Sequence, residues 1–461
     1  MRTDCGRARS DPRDVGGRLR AALLLSALVA LATLTVAPAA PAQTPTALTP
    51  GAAAAQPSAP AVYTLAPDRY AKAVAYSRAR YRLHFLSVAW EILVLVLLIG
   101  LAVAPSFRRL AERVSRRRFV QALVFFPLLL VVLGVLQLPV DVLGHRLSLA
   151  YDQSVQGWGS WFADWLKANL VTLAIASPLL PLFYAILRRS PRRWWLYSWL
   201  AALPVIVVVV FVAPVLIDPL FFHFEPLERK APALVSQIEQ VTARGGLTIP
   251  RDRMFLMDAS RKLKSLNAYV TGLGASKRVV VWDTTLAQLT APQTLVVLGH
   301  EMGHYVLGHV PKTILFLSGL LFLVAFLAHL VLRRALPPGE VRRGIHGLGD
   351  WASLPVLLLF LTVAAELALP AINAFSRANE HAADVYGLEV IHGVVPDPRR
   401  VAAESFQIMG EINLADPNPG PFVTFWLYSH PPEAERLAFA ATYDPWGKGE
   451  APRYVRDSRT P

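Results

Sequence analysis

Residues 299–309 read GHEMGHYVLGH, and they stand directly before a long apolar run. Positions four apart lie on one face of a helix, so the imidazoles of His300 and His304 can reach one metal ion. Glu301 points to the side of these imidazoles, where it could act as the general base for an attacking water. This stretch therefore predicts two zinc ligands and a base on a single helix.

A catalytic zinc site normally has a third protein ligand, which comes from another part of the fold. Residues 376–384 read as helical and carry Glu380 and Asp384 four positions apart, on one face. We expect Glu380 to be the third ligand and Asp384 to hydrogen-bond a ligating imidazole. His381 competes for the third position but points about 100° away from Glu380 along the helix. His309 is interpreted as a helix-end histidine that points off the metal face.

The composition indicates a membrane protein. Of the 461 residues 54% are hydrophobic, and the mean hydropathy is +0.41, above that of a soluble globular protein. Aliphatic runs match the thickness of a bilayer, which predicts a mainly α, polytopic membrane fold. The spans are predicted near 85–105, 119–139, 166–187, 194–217, 313–332 and 351–375. Glu366, deep in the last span, is expected either to face a cavity or to make an interhelical hydrogen bond.

The net charge of +14 does not indicate nucleic-acid binding, because the arginines cluster in short segments between apolar spans. Three such segments, 108–118, 188–193 and 333–343, are typical of cytoplasmic loops. On that pattern the zinc motif lies on the extracytoplasmic face. Five basic residues within 69–82 would then flank a span on the other side, so the charges leave the orientation open.

Two interpretations of the first 42 residues remain open. Six arginines precede a short apolar stretch, 21–36, and the small residues at 40–42 resemble a cleavage site. This segment is therefore a secretory signal peptide or a first transmembrane helix. Pro, Ala and Thr dominate from 42 to about 66 and predict little fixed structure. The single cysteine, Cys5, excludes a disulfide within the chain.

The spans and motifs predict six segments. They are the leader at 1–42, a Pro/Ala-rich linker and pre-membrane segment at 43–84, four spans at 85–217, a metalloprotease domain with the zinc motif at 218–312, two spans at 313–375, and the rest of that domain with a C-terminal tail at 376–461. Within 218–312 we expect a helix at 226–244 and strands at 254–257 and 278–282. Between the strands, Asn267, Ala268 and Tyr269 form either an edge strand that pairs with a peptide substrate or an ordinary meander strand.

Several motifs, taken in order, resemble the integral-membrane zinc metalloproteases typified by the type I CAAX prenyl endopeptidase. They are Asn267-Ala268-Tyr269 with Thr271-Gly272, the HEMGH core, Ser376-Arg377 with Glu380 and Asp384, Glu411-Ile412-Asn413-Leu414, and Tyr428-Ser429-His430-Pro431-Pro432 leading to Arg436. Their order and spacing are more specific than any single motif. The likeness covers most of the chain after the linker.

This resemblance implies a ring of six or seven transmembrane helices around a water-filled chamber, closed by a zincin-like α+β metalloprotease domain. It implies one Zn²⁺ per chain with Glu380 as the third ligand, and an Asn267 segment that pairs with the substrate. It also implies that His430 stabilises the oxyanion with support from Arg436. Without the resemblance, His430 would be interpreted as a turn histidine and Arg436 as a solvated helix residue.

Three functions are compatible with these motifs. The first is a zinc metalloendopeptidase that cleaves peptides or membrane-anchored proteins, including lipidated ones, in CAAX-type processing. The second is a bacterial quality-control metalloprotease for membrane proteins, which normally has fewer spans. The third is a channel or transporter with a zinc-stabilised domain, for which Glu301 would be unnecessary. The secretory-type leader and the arginine content favour a bacterial inner membrane as the location.

Overall fold

The computed structural model describes residues 62–272, 277–337 and 339–455. The predicted leader, Cys5 and most of the predicted linker lie outside these residues. The helices are α1 (Pro67–Gly100), α2 (Val103–Val114), α3 (Arg118–Ala150), α4 (Trp158–Arg189), α5 (Trp194–Leu216), α6 (Pro232–Arg244), α7 (Asp283–Gln288), α8 (Ala291–Val306), α9 (His309–Ala335), α10 (Leu354–Ile391), α11 (Pro398–Ile412), α12 (Pro421–Leu427) and α13 (Glu433–Thr442). The strands are β1 (Phe224–Pro226), β2 (Met254–Met257), β3 (Ala268–Thr271) and β4 (Arg278–Trp282).

Six helices in the described part of the chain are long and apolar enough to cross a membrane: α1, α3, α4, α5, α9 and α10. This confirms the predicted polytopic helical fold, but several of these helices extend beyond the predicted spans; α3 continues to Ala150 and α4 begins at Trp158. Helix α1 begins at Pro67 rather than near residue 85, because its polar first part packs Ala73 and Tyr76 against Leu414. Helix α10 continues without interruption to Ile391, so the last span and the predicted ligand helix are one element.

The prediction of little fixed structure up to about residue 66 is wrong for its last residues. Tyr63 is buried against Gly410, in the core that the sheet forms with α6, α8 and α11; we call this part of the protein the soluble domain. A Cβ on Gly410 would lie 2.6 Å from the Tyr63 ring, so the close contact requires glycine there. The side-chain amide of Gln407 donates to the Thr64 carbonyl at 2.5 Å and accepts from its N–H at 3.2 Å. The chain is therefore attached to α11 before it enters the membrane.

The three basic segments between the spans converge at one end of the helix bundle. Arg108 is buried in an ion pair with Asp350, which lies between α9 and α10. Arg188 donates to the carbonyl of Gly349 at 3.5 Å, and Arg343 donates to the last carbonyl of α1 at 3.4 Å. These contacts place the three segments at the end of α9 opposite His309, away from the zinc motif.

The described strands form one sheet of four, in the order β1-β2-β4-β3. Strand β2 pairs in parallel with β4, and both match their predicted bounds. Strand β3 pairs antiparallel with β4 and forms one edge of the sheet, a position that is compatible with both interpretations of this segment. The helix predicted to begin at Pro226 begins at Pro232 instead, because Pro226 ends β1.

A buried carboxyl group at the end of α10 attaches the C-terminal segment to the soluble domain. Glu389 is fully buried and accepts hydrogen bonds from the Tyr443 hydroxyl and from the N–H groups of Arg453, Tyr454 and Val455, at 2.5 to 2.9 Å. Buried carboxyl oxygens need such donors, because an unpaired one costs much of its hydration free energy. Helix α10 thus spans the bilayer, carries the candidate ligand Glu380 and receives the end of the chain.

Candidate metal centre and active site

Helix α8, which carries the HEMGH motif, begins with a capping box. The Thr290 side chain accepts from the N–H of Gln293, and the Gln293 side chain accepts from the N–H of Thr290 at 2.9 Å. Two N–H groups that the first turn leaves unpaired are satisfied in this way. The apolar residues of α8, including Leu295, Leu298 and Met302, are buried in the domain core, which fixes the rotation of the helix.

Glycines allow α8 and α10 to pack almost backbone to backbone. A Cβ on Gly303 would lie 2.9 Å from the Cα of Ala383, and one on Gly299 would lie 3.0 Å from the carbonyl oxygen of Gly387. A Cβ on Gly387 would lie 2.9 Å from the backbone nitrogen of His300. Any side chain at these positions would push the helices apart. The glycines inside the motif therefore bring its imidazoles to the carboxylates of α10.

Three predicted ligand side chains converge where α8 packs against α10. His300 Nε2 lies 3.1 Å from both His304 Nε2 and Glu380 Oε2, and His304 Nε2 lies 3.5 Å from Glu380 Oε1. Ligands about 2.0–2.1 Å from a tetrahedral zinc ion lie roughly 3.4 Å apart, close to these separations. Glu380 is 6% exposed, and its Oε2 has no partner in hydrogen-bonding geometry within the described residues. This donor set fits a divalent metal ion, which would satisfy the buried oxygen.

Asp384 connects the metal-facing imidazole of His300 to a buried arginine. Its Oδ1 lies 2.7 Å from His300 Nδ1, and the guanidinium of Arg436 donates to both carboxylate oxygens, at 2.7 and 3.0 Å. Burial alone would lower the pKa of His300, but the neighbouring Asp384 and Glu380 outweigh it and raise that pKa to about 10. The pocket therefore favours positive charge at this position. Arg436 Nη2 also lies 3.4 Å from His300 Nδ1, and Arg436 lines the same cavity as His430, so the predicted support of His430 by this arginine stays a prediction.

His430, in the segment that follows α12, also approaches the carboxylate of Glu380. Its Nε2 lies 3.3 Å from Glu380 Oε2, and its Nδ1 lies 2.9 Å from the Ser429 hydroxyl. The side chain is 56% exposed because it faces the chamber, yet the surrounding protein still desolvates it and lowers its pKa. The lowered pKa favours the neutral ring, which offers one N–H as a donor.

Helix α10 also holds the loop that carries His430. The guanidinium of Arg377 donates to the carbonyl of Tyr428 at 2.5 Å and to that of Thr424 at 3.0 Å. One turn earlier, the Asn373 side chain donates to the Trp426 carbonyl at 2.6 Å. These residues lie three to four positions apart and share a face with Glu380. A single helix face thus sets the distance between the candidate ligand Glu380 and the loop of His430.

Glu301 is partly buried and lines the same cavity as His300 and His430. Burial raises the pKa of its carboxyl group, and the nearby histidines only partly oppose this effect. A carboxylate with a raised pKa is a better proton acceptor near neutral pH. The position of Glu301 therefore suits the predicted role of general base.

Comparisons with known proteins agree with this arrangement. Residues 53–223 match a family described as the CAAX prenyl protease N-terminal region with five membrane helices, and residues 228–444 match peptidase family M48. The uncharacterized metalloprotease YhfN of Bacillus subtilis is 34% identical over 379 residues, which cover 81% of this chain and 86% of that protein. The chain belongs to peptidase family M48.

More distant relatives of this M48 protein are eukaryotic. CAAX prenyl protease 1 of Saccharomyces cerevisiae is 29% identical over 291 residues, 60% of this chain and 62% of that protein. The crystal structure of S. mikatae Ste24p has a TM-score of 0.66 and 24% identity, over 82% of this chain and 90% of that one, so the two share a fold. The M48 protein is accordingly an enzyme, an integral-membrane metalloprotease.

A cavity of about 640 Å³ extends from the candidate metal centre of the M48 protein to its first membrane helix. The helix α1 contributes Ser77, Arg80, Tyr81 and His84 to its wall. Of the three residues predicted to bind substrate, only Asn267 lines this cavity. Ala268 is buried in the core, and the Tyr269 hydroxyl donates to Asp218 at 3.3 Å. Any pairing with a peptide would therefore use the backbone edge of β3 rather than these two side chains.

The structure decides one alternative that the sequence left open and shows further contacts that it did not predict. Glu366 joins three helices, because its Oε1 accepts from Trp426 Nε1 at 2.7 Å and lies 3.1 Å from His84 Nε2. This confirms the interhelical alternative for Glu366. Glu433 lines the chamber beside Arg436, and burial raises the pKa of its carboxyl group. The roles of Arg377 and Asn373 were missed as well, although their spacing to Glu380 carried the signal.

Proposed function

We propose that this M48 protein is a zinc-dependent metalloendopeptidase that hydrolyses peptide bonds of membrane-associated substrates, with CAAX-type processing as its specific activity. The chamber is the observation that carries this proposal. One cavity is lined both by the candidate catalytic residues Glu301 and His430 and by Arg80 and His84 of the membrane helix α1. A peptide held in the bilayer by a lipid group can therefore enter the chamber while its anchor stays in the membrane.

The residues of this chain have distinct roles in the proposed reaction. Zinc, bound by His300, His304 and Glu380, would supply Lewis acidity for the attacking water and the scissile carbonyl. Glu301 accepts a proton from the water and returns it to the leaving amine. The ring N–H of neutral His430 donates to the oxyanion that develops on the carbonyl oxygen. The open edge of β3 holds the peptide extended by main-chain hydrogen bonds.

Two observations support a CAAX-type substrate. The motifs resemble those of the CAAX prenyl endopeptidases, and the chain is 29% identical over 291 residues to a yeast protein named CAAX prenyl protease 1. The more similar Bacillus subtilis relative is described only as a metalloprotease. The purified protein in detergent would be assayed on one peptide sequence with and without a farnesyl group. We expect hydrolysis that a zinc chelator removes and added Zn²⁺ restores, with a higher kcat/KM for the farnesylated peptide.

Other outcomes of this assay distinguish the alternatives. Equal cleavage of both peptides, together with cleavage of unfolded membrane proteins, would replace CAAX-type processing with quality control. Hydrolysis that is insensitive to the chelator would contradict the metal mechanism. No hydrolysis of any peptide by zinc-loaded protein would contradict the proposed function as a whole.

We also propose a bacterial inner-membrane location with the metal centre on the extracytoplasmic side. The three basic segments that converge at the far end of the bundle support this orientation by the positive-inside rule, while the basic residues at the start of α1 count against it. In a background of Cys5→Ser, we expect Asp252→Cys to react with a membrane-impermeant maleimide in intact spheroplasts. Glu340→Cys, at the opposite end, is expected to react only after lysis. The reverse pattern would place the metal centre in the cytoplasm.

A further inference from the structure

The second imidazole of the candidate metal centre has a partner on its far side. His304 Nε2 faces His300 and Glu380, whereas its other ring nitrogen, Nδ1, lies 3.0 Å from Nδ1 of His309. The two rings meet edge to face, with centroids 5.0 Å apart and an angle of 74° between their planes. His309 therefore contacts the side of His304 that is turned away from the metal ligands.

A break between two helices brings His309 to this position. Helix α8 ends at Val306, and Gly308 adopts the left-handed conformation, with φ of +66°, before α9 begins at His309. In one continuous helix, His309 would stand about 140° around the axis from His304. His309 is thus a helix-end residue that lies off the metal face, as predicted, and the break lets it contact His304 from the far side. The ring is 4% exposed, so it is enclosed by protein rather than by water.

The hydrogen bond between the two histidines has one consistent proton arrangement when His304 binds a metal. A ligand that coordinates through Nε2 uses that lone pair, so neutral His304 carries its proton on Nδ1. That N–H donates to the lone pair on Nδ1 of His309, whose own proton is then on Nε2. Binding of a metal by His304 through Nε2 therefore makes His304 the donor and His309 the acceptor of this hydrogen bond.

We propose that His309 is a positioning residue that fixes the tautomer and ring orientation of His304, as Asp384 does for His300. The proposal rests on the proposed metal centre. Partners of this kind are a regular feature of histidine ligands, because they hold the ring and make its donor nitrogen more basic. The two partners differ in charge. Asp384 carries the charge that Arg436 balances, whereas His309 is a neutral acceptor and adds no further negative charge beside Glu380.

Two substitutions separate the hydrogen bond from the packing of the ring. His309→Phe keeps a planar ring but removes the acceptor, whereas His309→Asn puts an acceptor oxygen close to the place of Nδ1 in a smaller side chain. Zinc affinity would be measured on purified protein by competition with a chelator, without any assay of activity. We expect His309→Phe to weaken zinc binding by about 10–100-fold and His309→Asn to recover most of the loss.

A matched control is available on the same helix. His329 lies in α9 among the rings of Trp194 and Trp195, at the end of the helix away from the metal centre. His329→Phe is expected to leave zinc affinity at the parent value. Unfolding of the three variants without zinc would show whether any loss of affinity reflects general destabilisation.

The outcomes are distinguishable from a failure of the proposed function. Parent-like zinc affinity in His309→Phe would overturn the positioning role while leaving the metal centre intact. A loss in His309→Asn as large as in His309→Phe, or an equal loss in His329→Phe, would attribute the effect to packing and would also overturn it. A parent protein that binds no zinc would contradict the proposed metal centre itself.

Discussion

Glu301→Gln is expected to lower kcat by about 10²–10⁴-fold while the bound zinc stays at the parent level. The amide matches the carboxylate in size but cannot accept the proton that the attacking water must lose. The predicted ligand atoms belong to His300, His304 and Glu380, so removing the carboxylate of Glu301 leaves the donor set complete. The measurements are kcat on a quenched fluorescent peptide and metal content by elemental analysis.

Glu404→Gln is the matched control for this prediction. Glu404 lies on α11, pairs with Arg400 at 2.6 Å and has no part in the chamber wall. The same chemical change there should leave both kcat and metal content at the parent values. Cleavage by Glu301→Gln at the parent rate would assign the base to another group. A loss of zinc in that variant would mean that Glu301 maintains the site rather than the reaction.

The convergence of His300, His304 and Glu380 follows from local patterns that a sequence carries. Spacing of four positions on a helix predicts which side chains share a face, and this held on both α8 and α10. The approach of these helices depends on Gly299 and Gly303, which lie directly before and inside the HEMGH motif. Their importance for packing could have been inferred from the same spacing. Strands β2 and β4 match their predicted bounds for a similar reason, because short valine-rich and methionine-rich runs are local signals.

Contacts that depend on the meeting of distant segments could not be predicted in this way. The start of α1 is too polar for a hydropathy pattern to recognise, and it is helical because it packs on residues more than three hundred positions away. The contact of His309 with His304 requires the left-handed Gly308 between two helices. The partner of Arg436 could not be predicted either, because a resemblance identifies a residue type without identifying the side chain that it contacts. Hydrogen bonds to Asp384 are visible only in three dimensions.

Arg436→Met is expected to lower the free energy of unfolding of the metal-free protein by about 3–5 kcal/mol. Arg436 is 8% exposed, donates to both oxygens of Asp384 and lies over the ring of Phe406 at 4.3 Å. The methionine fills much of the same space but removes the guanidinium that donates to both oxygens of the buried Asp384 carboxylate, which keeps only the imidazole of His300 as a facing cation. That incompletely compensated charge, rather than the lost contact area, accounts for most of the cost.

Two further variants test this account of Arg436. Arg69→Met breaks an exposed ion pair with Glu411, in which the arginine side chain is 48% exposed, and should cost only about 0–1 kcal/mol. Adding Asp384→Asn to Arg436→Met removes the incompletely compensated charge, so the double variant should regain part of the lost stability. Denaturant unfolding in detergent, in the absence of zinc, measures all three. If Arg436→Met were no less stable than Arg69→Met, or if the double variant regained nothing, the buried pair would not be the source of the stability assigned to it.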